Sequence, residues 1–414
     1  MAVIRPFRAL RPRPELAGAI AAPPYDVLSS DEARELVRGN PDSFLRVNKP
    51  EIDFPRGTDV YSDQVYQRGK ENFDRLVNEG LMVRDGTPCF YVYRLTWSGQ
   101  SQTGLVALTS VEEYEQGKIK KHEFTRPEKV NDRANHILKL NAQVGPVLSI
   151  FRHSPEISAL LTGLTAPPPH LDFAADNVRH ELWVADKPED IATLEAAFAR
   201  LPHLYIADGH HRSQSAWEVC RRKKEGNPHH TGKELYNFFL NALFDEKELR
   251  ILPYNRVVAD LNGLECEAFV RRAADKFHVL EADNDPAPRK PLEFGVYCEK
   301  KWYRFEAREG SFDRNNAARS LDSAILTANI LDPILGITDI RTDQRIDFVG
   351  GIRGTRELVR LVDSGEYKIA FSLYPVSVEQ LLKVADAGEI MPPKSTWFEP
   401  KLRSGMVVNS LEEE

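Results

Sequence analysis

A short apolar strand that runs directly into a helix constrains this chain more than any other feature of its sequence. Residues 203–208 (HLYIAD) are typical of a buried strand, Gly209 permits a tight bend, and residues 209–224 (GHHRSQSAWEVCRRKK) follow a helical pattern. The same alternation extends over residues 146–250, where VLSIF, ELWVAD and NFFLNALFD are strand-like and PEDIATLEAAFARL is helical. This block therefore predicts an α/β layer.

The segments on both sides of this block predict further strands and helices. Residues 89–97 (CFYVYRLTW) and 103–114 flank a turn at Ser98-Gly99-Gln100, which indicates a β-hairpin. Towards the end of the chain, EFGVYCEKKWYRFEAR predicts a second hairpin and KIAFSLYP a strand, with helices near 353–364 and 376–387.

The length of the chain predicts more than one domain. A chain of 414 residues is too long for one ordinary core, and we expect boundaries near residues 110 and 255. The predicted fold class is α+β with mixed sheets. An N-terminal α/β region with the hairpin covers residues 1–110, an α/β core that contains the strand-to-helix turn covers 111–255, and a C-terminal α/β domain covers 256–414.

Composition excludes several classes of protein. The formal net charge is −7, and because nucleic-acid binding depends on clustered Lys and Arg, we predict no nucleic-acid partner. The four cysteines show no CxxC spacing, which favours single buried thiols over a zinc knuckle or a disulfide framework. No segment has the ~18 uninterrupted apolar residues of a membrane span. We therefore expect no membrane partner and a reducing cytoplasm.

The strand-to-helix turn Asp208-Gly209-His210-His211-Arg212 is the first candidate site. Amides at a helix start attract anions, Arg212 in the first turn can bind a phosphate oxygen, and the two histidines add donors. An arginine in a first helical turn opposes the helix dipole, which favours a bound anion there. The structural alternative is a helix capped by Asp208 with two partly exposed histidines.

The second candidate is His122-Glu123-Phe124-Thr125, which is followed by clustered charges that include Arg126 and Arg133. A carboxylate beside a histidine can deprotonate a hydroxyl while neighbouring cations hold phosphates. A metalloprotease is excluded because the second His of HExxH is missing. The alternative is a solvated, charged helix start with Thr125 as its cap.

Two proline-rich segments are weaker candidates. Residues 391–401 (MPPKSTWFEPK) form a stiffened loop in which Lys394 and Lys401 flank an aromatic pair. Such a loop can close over a ligand or simply pack as a tail. Residues 22–27 (APPYDV) are similarly rigid, and they line a site or anchor a turn.

The sequence lacks the motifs of several other common active sites. The histidines show no metal-ligand spacing apart from the adjacent pair His210-His211, whose side chains project about 100° apart on a helix. The sequence has no GxxxxGK[ST], no kinase glycine-rich loop and no GxSxG elbow around Ser213 or Ser215.

Four ordered motifs carry a resemblance to a known family. APPYDV, His122-Glu123-x-Thr125, ADGHHR at 207–212 and PPKSTWFEPKLRSG at 392–405 together resemble the bacterial domain of unknown function 1015 family, over nearly the whole chain. Around the DGHHR turn, that family is similar to the ParB/sulfiredoxin-like fold and to the archaeal free-serine kinases built on it. The spacing between His122-Glu123 and DGHHR is longer here than in those compact kinases.

The resemblance implies roles for individual residues. Glu123 corresponds to a general base that activates the serine hydroxyl, and His122 is its neighbour and a donor to phosphate. Asp208, Gly209, His210, His211 and Arg212 correspond to a turn that binds phosphate or nucleotide. Arg126, Lys394 and Lys401 are added here as phosphate-binding cations because of their charge and position.

These observations lead to one main hypothesis and two rivals. The main hypothesis is a phosphotransferase between ATP or ADP and a small hydroxyl amino acid, favouring L-serine or O-phosphoserine, with Mg²⁺ bridging the phosphates. It can work as a serine kinase or, in reverse, as a phosphoserine phosphatase. One rival is a non-catalytic ParB-like nucleotide-binding regulator or DNA-partitioning accessory protein. The other, a sulfiredoxin-like redox enzyme, lacks the required cysteine in the turn.

Overall fold

The computed structural model describes residues 2–281 and 286–412. The chain forms two compact units. The first unit comprises Met1–Lys121, Thr125–Leu249 and Pro400–Glu414, and the second comprises His122–Phe124 and Arg250–Glu399. Strands from residues 1–110 and from residues 111–255 share one sheet of the first unit. The predicted division into three domains, with boundaries near residues 110 and 255, stays a prediction.

The first unit is built round a mixed sheet. Its strands are β1 (Ile4–Arg5), β2 (Leu10–Pro12), β3 (Met82–Arg84), β4 (Phe90–Trp97), β5 (Gln100–Ser110), β6 (Ile119–Lys120), β7 (Ala142–Gln143), β8 (Val147–Phe151), β9 (Leu171–Ala175), β10 (Val178–Ala185), β11 (Leu204–Asp208), β12 (Phe238–Asp245) and β21 (Asn409–Ser410). The main sheet has the order β6-β11-β8-β12-β5-β4-β10-β9, with β1 beside β5. Strand β6 is parallel to β11 and β12 is parallel to β8, whereas the other neighbours are antiparallel. Two small pairs, β2-β3 and β7-β21, complete the strands.

Some helices of the first unit begin or end at recognisable caps. The helices are α1 (Ala17–Ile20), α2 (Ser30–Leu36), α3 (Leu45–Asn48), α4 (Asp63–Asn78), α5 (Val111–Glu115), α6 (Pro127–Leu140), α7 (Pro155–Leu164), α8 (Pro188–Phe198) and α9 (His210–Glu225), with 3-10 turns at Pro14–Leu16, Pro50–Asp53 and Leu235–Asn237. A capping box between Ser29 and Glu32 starts α2, and Asn141 in the left-handed region ends α6.

Two apolar clusters form the core of this unit. The larger one packs the sheet against helices and includes Phe151, Phe198 and Phe239, all at most 1% exposed. The second gathers the N-terminal helices round Phe44 and includes Val408 from the end of the chain. Burial of such side chains stabilises a fold by about 1.5–3 kcal/mol each.

The second unit contains an antiparallel sheet. Its strands are β13 (Arg250–Leu252), β14 (Tyr254–Val258), β15 (Phe277–Glu281), β16 (Glu293–Cys298), β17 (Lys301–Ala307), β18 (Ile346–Gly350), β19 (Ile369–Leu373) and β20 (Trp397–Glu399). Six of them have the order β15-β17-β16-β19-β14-β18, and β13 pairs with β20. The helices are α10 (Cys266–Ala273), α11 (Asp322–Leu326), α12 (Gly354–Asp363) and α13 (Val378–Asp386), with a π-helical turn at Thr327–Leu331 and a 3-10 turn at Gly351–Arg353.

Much of the sequence-based fold prediction is confirmed. The class is α+β with mixed sheets, both predicted hairpins form, and β11 runs into α9 as predicted. The first hairpin differs at its end, because residues 111–115 form a helix instead of continuing the strand. The four cysteines are buried free thiols, as predicted. Within the described part of the chain, every helix is too short or too polar to cross a lipid bilayer.

Candidate functional site

The turn between β11 and α9 has the backbone geometry that a glycine permits. Gly209 has φ of +97°, and a Cβ added there would lie 3.0 Å from Arg212 Nε. Gly209 is the N-cap of α9, and no side chain caps the helix. The alternative in which Asp208 caps a helix with partly exposed histidines is therefore wrong, since His210 is also buried. The turn places the charged side chains of Asp208 and Arg212 close together.

Arg212 folds back over the turn. Its Nη1 donates to the carbonyl of Pro146, its Nη2 lies 3.6 Å from Asp208 Oδ2, and its side chain is 13% exposed. Its buried Nε has no hydrogen-bond partner among residues 2–281 and 286–412. The guanidinium is thus held in place, and its Nε–H can still donate a hydrogen bond to a ligand.

Asp208 joins two cations. Lys401 Nζ donates to Asp208 Oδ2 at 3.3 Å, and Arg212 approaches the same oxygen. Burial opposes ionisation, but the charges of Lys401 and Arg212 outweigh it and hold the pKa of Asp208 below its usual range. Asp208 is therefore a carboxylate that pairs with two cations, and its part in phosphate binding stays a prediction.

His211 connects the turn to the start of α6. Its Nε2 accepts a hydrogen bond from the backbone N–H of Arg126 at 3.1 Å. This nitrogen is therefore an acceptor, and the expectation that His211 adds a donor to a ligand stays a prediction for Nδ1. Arg126 is the N-cap of α6 with an exposed side chain, so Thr125 is not the cap.

A cleft in the first unit adjoins Arg212. Its volume is about 40 Å³, and its polar lining comes from Tyr25, Asn48, Arg133, His136, Gln143, Arg212 and Ser404. Sequence reasoning missed Asn48 and Gln143, included Ser404 only as part of the C-terminal motif, and placed Arg133 only in a general cluster of cations. A local sequence signal for Asn48 is absent, because it ends a four-residue helix far from the other motifs.

Arg133 is fixed on three sides. Its Nε donates to Asp132 Oδ2 at 2.8 Å, its Nη1 donates to the carbonyl of Asn48 at 3.2 Å, and its guanidinium lies 4.3 Å from the centre of the Tyr25 ring. Tyr66 donates to the other oxygen of Asp132 at 2.9 Å. Burial raises the pKa of Asp132, but the charge of Arg133 outweighs it and the net pKa is lowered.

Two neighbouring groups stay neutral because of burial. Burial, with the charge of Arg133 as a second cause, lowers the pKa of His136 to about 3, and His136 Nε2 donates to the carbonyl of Val47 at 2.8 Å. Burial likewise raises the pKa of the Tyr25 hydroxyl above its usual range. The positive charges of this cleft therefore come from Arg133 and Arg212.

Three of the four sequence motifs meet at this cleft. Ala22 and Ser404 exchange two backbone hydrogen bonds, of 3.1 and 2.9 Å, which join APPYDV to the C-terminal motif. Gly145 lies between Ser404 and Arg212, where a Cβ would approach Ser404 Oγ to 3.1 Å. The cleft is therefore assembled from segments that lie far apart in the sequence.

The remaining candidates belong to the second unit. His122 is buried, its carbonyl accepts from the N–H of Met391 at 2.8 Å, and Glu123 beside it is half-buried. The carbonyl of Lys394 accepts from Arg256 Nη2 at 3.0 Å, and Lys394 Nζ lies 5.6 Å from the centre of the Tyr254 ring. Their roles as base, donor and phosphate-binding cation stay predictions.

The donor set does not fit a resident Mg²⁺ ion. Among the described residues, no group of three or more His, Cys, Asp or Glu side chains is placed to hold a metal. Asp132 and Asp208 both engage cations, which compete with a metal for their oxygens. A Mg²⁺ ion that arrives with a nucleotide stays a prediction.

The sequence pattern of one known family, described as "Protein of unknown function (DUF1015)", matches residues 4–324. The chain belongs to this family. The matched residues include Tyr25, Asn48, Arg133 and Arg212, whereas Lys401 and Ser404 lie beyond them. No curated protein matches the chain.

Several solved structures are similar to the chain at low identity. One is a free serine kinase in complex with AMP, with 13% identity, a TM-score of 0.35 and coverage of 71% of this chain and 86% of that chain. A conserved hypothetical protein from Pyrococcus furiosus has 12% identity, a TM-score of 0.36 and coverage of 73% and 95%. SbnI with a C-terminal truncation from Staphylococcus aureus has 12% identity, a TM-score of 0.40 and coverage of 75% and 90%. At these TM-scores the likenesses establish neither a shared fold nor a shared activity.

Proposed function

We propose that this protein transfers a phosphoryl group between a nucleotide, ATP or ADP, and a small hydroxyl amino acid, with L-serine or O-phosphoserine as the favoured partner. The observation that carries the proposal is the set of fixed cations at the start of α9. Arg212 and Lys401 share the carboxylate of Asp208, and Arg133 lines the same cleft as Arg212. Such groups stabilise the charge that develops in phosphoryl transfer.

The fixed geometry of these cations supports a catalytic role over simple attraction of anions. Asp208 stays ionised because its pKa is lowered, so it holds Arg212 and Lys401 in place before any ligand arrives. Preorganised charges need no reorganisation during the reaction, and phosphoryl transfer depends mainly on positioning and electrostatics. In this proposal Asp208 is a positioning residue, whereas the two cations bind phosphate oxygens.

The proposed base is Glu123. This assignment rests on the family resemblance and on the position of Glu123 beside His122. In the forward reaction Glu123 takes the proton of the amino-acid hydroxyl, and the oxygen attacks the terminal phosphorus of the nucleotide. The bond between that phosphorus and the bridging oxygen breaks, and the shortened nucleotide leaves. The reverse direction regenerates the free hydroxyl amino acid and phosphorylates the nucleotide.

Phosphorus NMR tests the reaction directly. The full-length protein is incubated with Mg²⁺, ATP or ADP and L-serine, and in a second series with nucleotide and O-phosphoserine. We expect the O-phosphoserine signal to grow in the first series or to decline in the second. If neither series changes faster than a sample without protein, this substrate pair is wrong.

Two substitutions separate chemistry from binding. Glu123→Gln removes the base but keeps the side-chain shape, so we expect turnover to fall by roughly 10²- to 10⁴-fold with nucleotide affinity unchanged. Arg212→Ala removes a binding cation, so both turnover and affinity should fall. Turnover by NMR and nucleotide affinity by calorimetry are measured for each variant.

The matched control is Glu128→Gln, which makes the same chemical change at an exposed position in the first turn of α6. It should behave like the wild type in both measurements. Full activity of Glu123→Gln would show that the base is another group, while loss of binding in Arg212→Ala would still support the cation site.

A further inference from the structure

A buried amide in the cleft has no hydrogen-bond partner. Asn48 is 3% exposed and lines the cleft, and its Nδ2 is unpaired among the described residues, 2–281 and 286–412. Buried polar groups are nearly always paired, because loss of their hydration is otherwise uncompensated. An unpaired buried donor at a cleft therefore indicates a ligand that the amide receives.

Arg212 offers a second donor at the same cleft. Its Nη1 and Nη2 engage the Pro146 carbonyl and Asp208, whereas its buried Nε has no partner in the described ranges. Both unpaired donors, the Asn48 amide and the Arg212 Nε, thus belong to side chains that line one small space. Two N–H donors from side chains that line one space can serve the same acceptor oxygen.

Arg133 supplies a fixed positive charge to the same space. Asp132, the Asn48 carbonyl and the Tyr25 ring hold its guanidinium, so it cannot swing away to solvent. Ile137, Val147 and Phe239 add apolar lining. In such surroundings a charge acts on a ligand with little screening, which favours an anion over a neutral acceptor.

The size of the cleft limits the ligand. Its volume of about 40 Å³ is a few times the ~10–15 Å³ that one water molecule requires. A carboxylate or phosphate group fits this space. The cleft is therefore suited to one end of a ligand.

We propose that Asn48 Nδ2 and Arg212 Nε donate to one small oxyanion, a carboxylate or phosphate group of the substrate, that rests beside Arg133. The inference builds on the proposed function and assigns a binding group that the DGHHR turn alone does not supply. Asn48 is then a binding residue that orients the substrate, while the proton transfer belongs to another group.

The test is the nearly isosteric substitution Asn48→Asp, which replaces the amide donor by a carboxylate. Binding of L-serine, O-phospho-L-serine, inorganic phosphate and AMP to the full-length protein is measured by calorimetry. We expect the substitution to weaken binding of the oxyanion-bearing ligand by about tenfold or more, because it removes a donor and adds repulsion. Asn131→Asp is the matched control, since Asn131 is exposed on α6 and bonds Arg222, and it should bind all four ligands normally.

The four ligands distinguish the source of the oxyanion. Weaker binding of L-serine and O-phosphoserine alone identifies a carboxylate, and weaker binding of O-phosphoserine, phosphate and AMP identifies a phosphate. Weaker binding of all four shows one site that accepts either group. Unchanged binding of every ligand, or no binding by the wild-type protein, overturns the inference, and the cleft would then hold only water.

Folding and function are tested separately. If Asn48→Asp lowers the thermal midpoint, Asn48→Ala, which removes the donor without adding a charge, takes its place with the same expected loss. If the wild type binds an oxyanion through Asn48 but shows no phosphoryl transfer, the proposed function fails and the inference stands. If transfer occurs and the Asn48 variants bind every ligand normally, the inference fails alone.

Discussion

At the scale of single residues, Gly209 decides the geometry of the candidate site. Its φ of +97° lies in the left-handed region, and the Arg212 side chain occupies the space beside its Cα. Both facts follow from the missing Cβ, since an L-residue there is strained and also contacts the guanidinium. The position of Arg212 therefore depends on the residue three places before it.

The first prediction is that Gly209→Ala destabilises the first unit by about 1–2 kcal/mol and weakens nucleotide binding. The backbone strain lowers stability, and the displaced Arg212 loses its contact with Asp208. Urea unfolding and calorimetry measure the two effects.

Gly163→Ala is the control for this change. Gly163 lies in α7 with no atom within 4 Å of an added Cβ, so its replacement should leave stability unchanged or slightly higher. Equal stability of the Gly209 and Gly163 variants would show that the turn tolerates a side chain.

At the scale of elements, helix α6 organises the cleft. It presents Arg133 and Ile137 to the cleft, and its N-cap residue donates to His211 at the start of α9. It also carries His136, whose Nε2 donates to the Val47 carbonyl one residue before Asn48. The neutral state of His136 is thus part of the packing of α6 against α3.

The second prediction concerns pH. The pKa of His136 is lowered to about 3 in the folded protein, chiefly by burial, whereas an unfolded histidine has a pKa of ~6.5. The unfolded chain therefore binds a proton below pH ~6.5 that the folded chain excludes, so stability is full above that pH and falls as the pH drops. The slope is at most about 1.4 kcal/mol per pH unit for this residue.

Burial also lowers the pKa of His180 to about 3, with the charge of Arg403 as a further cause, and adds a similar slope. Urea unfolding of the first unit between about pH 5 and pH 7 measures the sum. His136→Gln should be less stable near neutral pH but show a flatter dependence. The exposed His229→Gln should keep the wild-type slope. An unchanged slope in His136→Gln would contradict the buried neutral state.

At the scale of the whole molecule, the last described segment completes the first unit. Strand β21 pairs with β7, and Val408 exchanges backbone hydrogen bonds of 3.0 Å with Leu10. Met406, Val408 and Leu411 are each at most 3% exposed. The same segment provides Lys401 and Ser404, so the completed core and the candidate site depend on one another.

The third prediction is that a chain truncated after Glu399 loses a folded first unit. It lacks several buried side chains worth about 1.5–3 kcal/mol each, and typical domains are stable by only about 5–15 kcal/mol. Circular dichroism and limited proteolysis measure the loss. A chain truncated after Glu412 keeps all these contacts and should melt like the wild type. A cooperative unfolding transition of the first unit in the shorter chain would show that the segment is dispensable.

Local structure could be predicted from the residues alone. The β4-β5 hairpin and the β11-α9 turn were both predicted. Each depends on side-chain alternation, cap chemistry or glycine geometry within a few residues, which a single sequence displays. For the same reason the DGHHR turn was recognisable as a candidate site.

Which distant residues surround that turn depends on the packing of the complete fold. Asn48, Arg133, Arg212 and Ser404 reach one cleft through strand pairing and helix packing, and no local pattern encodes these contacts. The fold likewise decided the partner of Asp208, because Lys401, which donates to its carboxylate, lies 193 residues further along the chain. Local propensities act over one or two turns of chain, whereas burial and charge pairing depend on the complete fold.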